Sequence, residues 1–244
     1  MSEPATPRDN PDEIIEAEPQ RREPIFNLPG IVIAVIAACV AIHLIRVYIL
    51  NPDQDFALLV RAAFIPARYS GQYAVEMWAF TSPLTYAFLH GGFPHLILNM
   101  VWLAAFGSPL ANRLGVARFS AFFAVTSLAA VALHYVLHST DVAPLVGASG
   151  AISGMMGAAA RFSFQIDRSQ GKPAFSGAPL PIRDVLRSRT AMTFLGVWMV
   201  INLVTGLVGF TPGVDNQIAW DAHIGGFLAG FLGIRFFDRR REFA

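Results

Sequence analysis

Ser149 stands in Gly147-Ala148-Ser149-Gly150, where a short loop gives way to an apolar run. A serine that opens a helix feels the positive end of the helix dipole, and backbone N–H groups around it can hold an oxyanion. The flanking glycines permit a tight turn and the close approach of a peptide. These are the properties of a nucleophile, and equally those of an N-cap. His223, in Ala222-His223-Ile224-Gly225-Gly226, is the matching base. Gly150, Gly154 and Gly157 keep one side of the helix after Ser149 narrow, and Gly226 and Gly230 form a small-xxx-small pair beyond His223. Such faces let membrane helices pack backbone to backbone. If the two helices meet there, the Ser149 hydroxyl and the His223 imidazole come within the roughly 3 Å that base activation needs. Packing alone also accounts for the glycines, and a satisfied interior histidine for His223.

His95 and Asn99 are four residues apart and share one helical face. Two side-chain donors aimed at one point can stabilise a tetrahedral oxyanion; losing one such donor costs a serine protease about 3 kcal/mol of barrier. Polar glue between helices is the alternative. His90 lies nearer the interface, as a helper or a structural residue. His134 reads as structural. Asp221 precedes His223 by two residues, which point apart on a helix, so no third catalytic member is assigned to it. His90 and His95 are five apart, with no His-Glu-x-x-His pattern in the chain and no cysteine or glutamate beside them. No metal or other cofactor is therefore expected. The single cysteine, Cys39, reads as a small buried apolar residue.

The elements that must position these groups are membrane helices. Hydrophobic residues make up 54% of the chain and charged ones only 14%, against nearer a quarter in a soluble domain. The near-neutral formal charge suggests neither nucleic acid nor an acidic partner. Residues 1–27 are polar and proline-rich, which predicts a disordered tail rather than a signal peptide. Runs of about 20 apolar residues predict spans near Leu28–Leu50, Pro94–Leu110, Phe119–Leu137, Val146–Phe164, Ala191–Phe210 and Ile218–Phe237. Arg46, near the end of the first, is placed to snorkel. Basic residues cluster in the tail (Arg8, Arg21, Arg22), the second link (Arg113, Arg118), around the fourth link (Arg161, Arg168, Lys172, Arg183, Arg187, Arg189) and at the C-terminal end (Arg235, Arg239, Arg240, Arg241). The alternate links are poor in them. Both termini are then cytoplasmic, as an even number of spans also requires. The link 51–93 holds Phe56, Phe64, Trp78, Phe80 and Tyr86. It reads as a folded element resting in the outer interface.

Taken together, Gly147-Ala148-Ser149-Gly150-Ala151-Ile152, Ala222-His223-Ile224-Gly225-Gly226-Phe227 and His95-x-x-x-Asn99 resemble the rhomboid family of intramembrane serine proteases. The resemblance covers roughly residues 28–237. It implies an all-α, six-helix catalytic domain over 28–237, flanked by cytoplasmic tails 1–27 and 238–244, in the inner membrane of a bacterium. It implies a Ser149–His223 dyad without a metal. His95 and Asn99 would be the oxyanion donors, with backbone N–H groups beside Ser149, Gly147 among them. A water-filled cavity would open to the outer face. The substrates implied are single-span membrane proteins, and the fifth span is the gate, with Phe194 and Trp198 as candidates. Two positions depart from the family pattern. Trp78 is followed by Ala79 where the family often has Trp-Arg. Ser153 stands one turn after Ser149, where an aromatic residue often packs on the catalytic histidine. A non-catalytic binder of membrane helices is the competing reading, although such relatives usually lack the serine or the histidine. A transporter or channel fits less well, because the spans carry no paired ionisable pathway.

Overall fold

The computed structural model describes residues 28–169, 171–208 and 219–238. The two tails and the link before the last helix lie outside these residues, with the expectations attached to them. All six apolar runs contain a helix. They are α1 (Gly30–Tyr48), α4 (Phe93–Trp102), α6 (Val116–Leu137), α7 (Ser149–Arg161), α9 (Arg189–Val208) and α10 (Trp220–Phe237). A π-helical turn, Leu103–Gly107, joins α4 to α5 (Ser108–Leu114). The resulting rod of 22 residues, like α1 and α6, is long and apolar enough to cross a membrane. Large apolar residues are exposed along α1 (Ile33, Leu44), α4 (Ile97, Val101) and α9 (Val197, Val200, Val204). Apolar surface on this scale suits lipid rather than water. The chain is a mostly helical multi-pass membrane protein.

One expected boundary changes. The fourth helix is shorter at both ends than Val146–Phe164. Gly147, at φ +125°, delays its start, and Ser163 and Phe164, at φ 49° and 58°, end it. Near the end of α1, the Arg46 guanidinium lies 2.6 Å from Asp55 and donates to the His90 carbonyl at 2.9 Å. Within the mostly helical fold, a two-stranded antiparallel ribbon, β1 (Ile166–Asp167) with β2 (Ala174–Phe175), follows α7. Arg113 is buried behind it, donating to the Phe175 carbonyl and to Asp238, each at 2.6 Å.

α7 is buried throughout, apart from Ser149 itself. Thirteen residues reach only about 20 Å, too short to span lipid unaided. Its neighbour α10 runs parallel to it. A Cβ on Gly226 would fall into the Gly150 carbonyl, and one on Gly230 into the Gly154 carbonyl. Gly225 faces the other way, where a Cβ would sit 2.6 Å from the Ala129 carbonyl of α6. The paired glycines thus let α10 lie against two helices at once.

The long link after α1 is folded. Asn51 caps α2 (Pro52–Ala62) through a reciprocal bond pair with Gln54. Buried Arg68 donates to the Val60 carbonyl and to Ser82 of α3 (Trp78–Thr85), and the Arg61 guanidinium lies over the Trp78 ring. Arg61 and Arg68 therefore tie the folded link together.

Candidate active site

The strand-like approach to Ser149 is strapped to the first link. Phe64 and Leu145 exchange backbone hydrogen bonds at 2.8 and 3.2 Å, and Ala67 N–H donates to the Asp141 carbonyl. Two residues before the serine, Gly147 N–H donates to the Tyr86 carbonyl at 3.0 Å. Tyr86 is fully buried, and its hydroxyl donates to the Ser127 carbonyl of α6. The turn before Ser149 is thus fixed to the backbone of a residue whose own phenol is anchored on α6.

This changes the part expected of Gly147. Its N–H is committed to Tyr86 and is not free to hold an oxyanion. Its missing side chain matters instead. A Cβ there would lie 2.8 Å from His95 Nε2 and 3.5 Å from Ser149 Oγ. Glycine keeps open the space that both atoms border, and its positive φ is one that other residues rarely adopt. Nor is Ser149 the N-cap, since Ala148 holds that position and Ser149 is the first helical residue. Its hydroxyl makes no hydrogen bond among the described residues.

His95 Nδ1 accepts from Gly91 N–H at 3.5 Å, which leaves the hydrogen on Nε2, the atom facing Gly147 and Ser149. Asn99 Nδ2 donates back to the His95 carbonyl at 2.9 Å. His90 is buried with its ring edge-on to His95, centroids 5.2 Å apart. Burial, together with the His95 and His43 rings, pushes the His90 imidazole down to about 3, so it stays neutral.

His223 lies in the first turn of α10, immediately after Ala222, whose carbonyl approaches Gly150. Serine and histidine therefore sit at the same end of a parallel helix pair. The histidine is held by a residue the sequence reading missed. His223 Nδ1 lies 2.6 Å from Oδ1 of Asn202, on α9. Asn202 Nδ2 donates to the Trp220 carbonyl at 3.0 Å. A carbonyl can only accept, so the amide orientation is fixed and Oδ1 must face the imidazole. Nδ1 then carries the hydrogen and Nε2 keeps its lone pair, the form a general base needs. One signal was available: Asn202 is the only amide side chain in that apolar run. Ser153, the position expected to leave the ring unsupported, is buried within α7. Asp221 faces elsewhere, with Oδ2 2.9 Å from His134 Nδ1 and 3.2 Å from His138 Nε2.

A mostly helical membrane bundle with a serine opening one buried helix and a histidine opening its parallel partner defines a narrow class. The Rhomboid domain family model matches residues 75–239, well over half of the chain. RHOMBOID-like protein 5 of Arabidopsis thaliana is 32% identical over 158 residues, covering 64% of this chain and 43% of that protein. Rhomboid protease GlpG of Serratia proteamaculans is 27% identical over 173 residues, covering 71% and 52% respectively. The Yersinia pestis protein of the same name is 22% identical over 210 residues, covering 86% of this chain and 63% of its own. The chain belongs to the rhomboid family. It spans less than half the length of the plant relatives it matches.

Proposed function

We propose that this chain is an intramembrane serine endopeptidase that cleaves single-span membrane proteins within the bilayer. The glycine contact between α7 and α10, which brings Ser149 and His223 to one level, carries the reading. Ser149 Oγ attacks the scissile carbonyl. His223 Nε2 takes its proton and passes it to the leaving amine. Catalytic hydrogen bonds of this kind commonly tighten only once substrate is seated. His95 Nε2–H and the second N–H of Asn99 supply the oxyanion's donors, together with backbone N–H groups of the first turn of α7. The six helices cross the membrane with both termini on the cytoplasmic side, and α9 is the element that admits substrate.

Wild type and Ser149→Ala, compared on a panel of single-span substrates in a gel assay, test this. The variant is expected to melt like wild type and to cut nothing. Equal cleavage by the variant would reject the mechanism. Labelling of Ser149 by a fluorophosphonate, lost in His223→Ala, separates an enzyme from a binder that merely retains membrane helices.

A further inference from the structure

On α6 and α10, the two helices that flank the Ser149 helix, a second constellation is formed by groups that the proteolytic reading does not use. His134, in the last turn of α6, and His138, its C-cap residue, are four apart and on one face. Their rings lie 4.9 Å apart, centroid to centroid. Both turn a nitrogen onto the same oxygen of Asp221, in the first turn of α10, at 2.9 Å from His134 Nδ1 and 3.2 Å from His138 Nε2. The three ligand atoms all fall within 4.8 Å of one another.

We propose that His134 Nδ1, His138 Nε2 and the Asp221 carboxylate form a binding site for a divalent transition-metal ion of zinc's class. Two neutral imidazoles and one carboxylate suit such an ion, and three protein ligands leave a fourth position for water. Around a tetrahedral ion with bonds of about 2.0–2.1 Å, ligand atoms stand about 3.3 Å apart. The Asp221 oxygen would withdraw from the two nitrogens by a few tenths of an ångström, and the two nitrogens, within 4.8 Å of each other, would close toward that spacing by turning their rings. A carboxylate needing only a hydrogen-bond partner is served by His134 alone. The second imidazole, converging on the same oxygen from a side chain 44% exposed to solvent, completes a ligand set with an entry path. Asp221 is two residues from His223, so an ion here would pin the end of α6 to the turn that carries the base. The site stands independently of the proteolytic reading.

The test uses the full chain without a histidine tag, as the Ser149→Ala variant, titrated with zinc chloride by calorimetry and with cobalt chloride by visible absorption. One ion per chain is expected, with the intense bands of four-coordinate cobalt and a higher melting temperature. In His138→Ala, whose removed ring is half in solvent and whose fold should persist by melting and circular dichroism, zinc affinity should fall by more than about a hundredfold. That exceeds the 10–100-fold that loss of a merely supporting residue costs. Asp221→Asn should weaken binding as well. No saturable binding, or binding unchanged by His138→Ala, would overturn the proposal. Binding that disappears in His95→Ala but survives in His138→Ala would also overturn it, by moving the ion to the other histidine cluster.

Discussion

α7 and α9 both press on α10, and both serve its histidine, but they do so by opposite means. α7 meets α10 backbone to backbone, through Gly150, Gly154, Gly226 and Gly230. α9 reaches it through side chains: Trp198 stacks on Phe227 with centroids 4.7 Å apart, Gly206 receives Trp220, and Asn202 bonds His223. Where Gly226 meets Gly150 and Gly230 meets Gly154 there is no side chain whose rotation could relax the contact, so main chain sets the height of Ser149 relative to His223. Toward α9, the Trp198 stack and the Asn202 bond depend on rotamers. Ser149 is thus placed by backbone packing, and His223 is oriented by a side-chain neighbour. Under the proposed function, the glycine interface would be the fixed wall and the side-chain interface the one that yields to substrate.

The largest effect should come from breaching the fixed wall. Gly226→Leu drives a side chain into the Gly150 carbonyl and should cost about 3 kcal/mol or more of stability. Melting in detergent should fall sharply and cleavage should vanish. Gly196→Leu on α9, where a Cβ would meet nothing within 4 Å, should leave both unchanged. Equal damage from the two substitutions would erase the contrast.

Next is the orienting bond. In the proposed mechanism His223 becomes charged as it takes the serine proton, and a hydrogen bond to such a group is worth about 1.5–3 kcal/mol. Asn202→Ala should therefore lower kcat about ten- to a hundredfold, with little change in KM or melting temperature. An unaltered kcat would mean that α9 does not orient the base. Asn202 is a positioning residue, since it reaches the substrate only through His223.

Smaller still is the strut beneath the nucleophile. Tyr86→Phe removes the bond to the Ser127 carbonyl and should cost about 1 kcal/mol, read as a modest drop in melting temperature. The smallest effect is expected at the yielding wall. Trp198→Ala loses a ring stack worth about 0.5–1 kcal/mol beyond its buried area. If α9 admits substrate, that loosening should speed cleavage about two- to fivefold. Slower cleavage would instead show that Trp198 chiefly keeps Asn202 on His223.

The sequence by itself determined where the helices lie, because apolar length is a local property that water and lipid read directly. It also marked Ser149, His223, His95 and Asn99, because polar groups are conspicuous in apolar runs. It pointed to the glycine faces, since absent side chains have few other uses in mid-helix. Only the tertiary structure decided which groups meet. Asn202 and His223 lie on different helices, and no spacing rule relates them. Arg61 and Arg68 found their partners, Trp78, Val60 and Ser82, because the link folds back on itself. Gly147 turned from an expected donor into a space-keeper once Tyr86 claimed its N–H. His134, His138 and Asp221 were brought to a single oxygen by the packing of α6 against α10. Residue chemistry is written along the chain, but a partner's distance depends on how helices cross, which many weak contacts settle together.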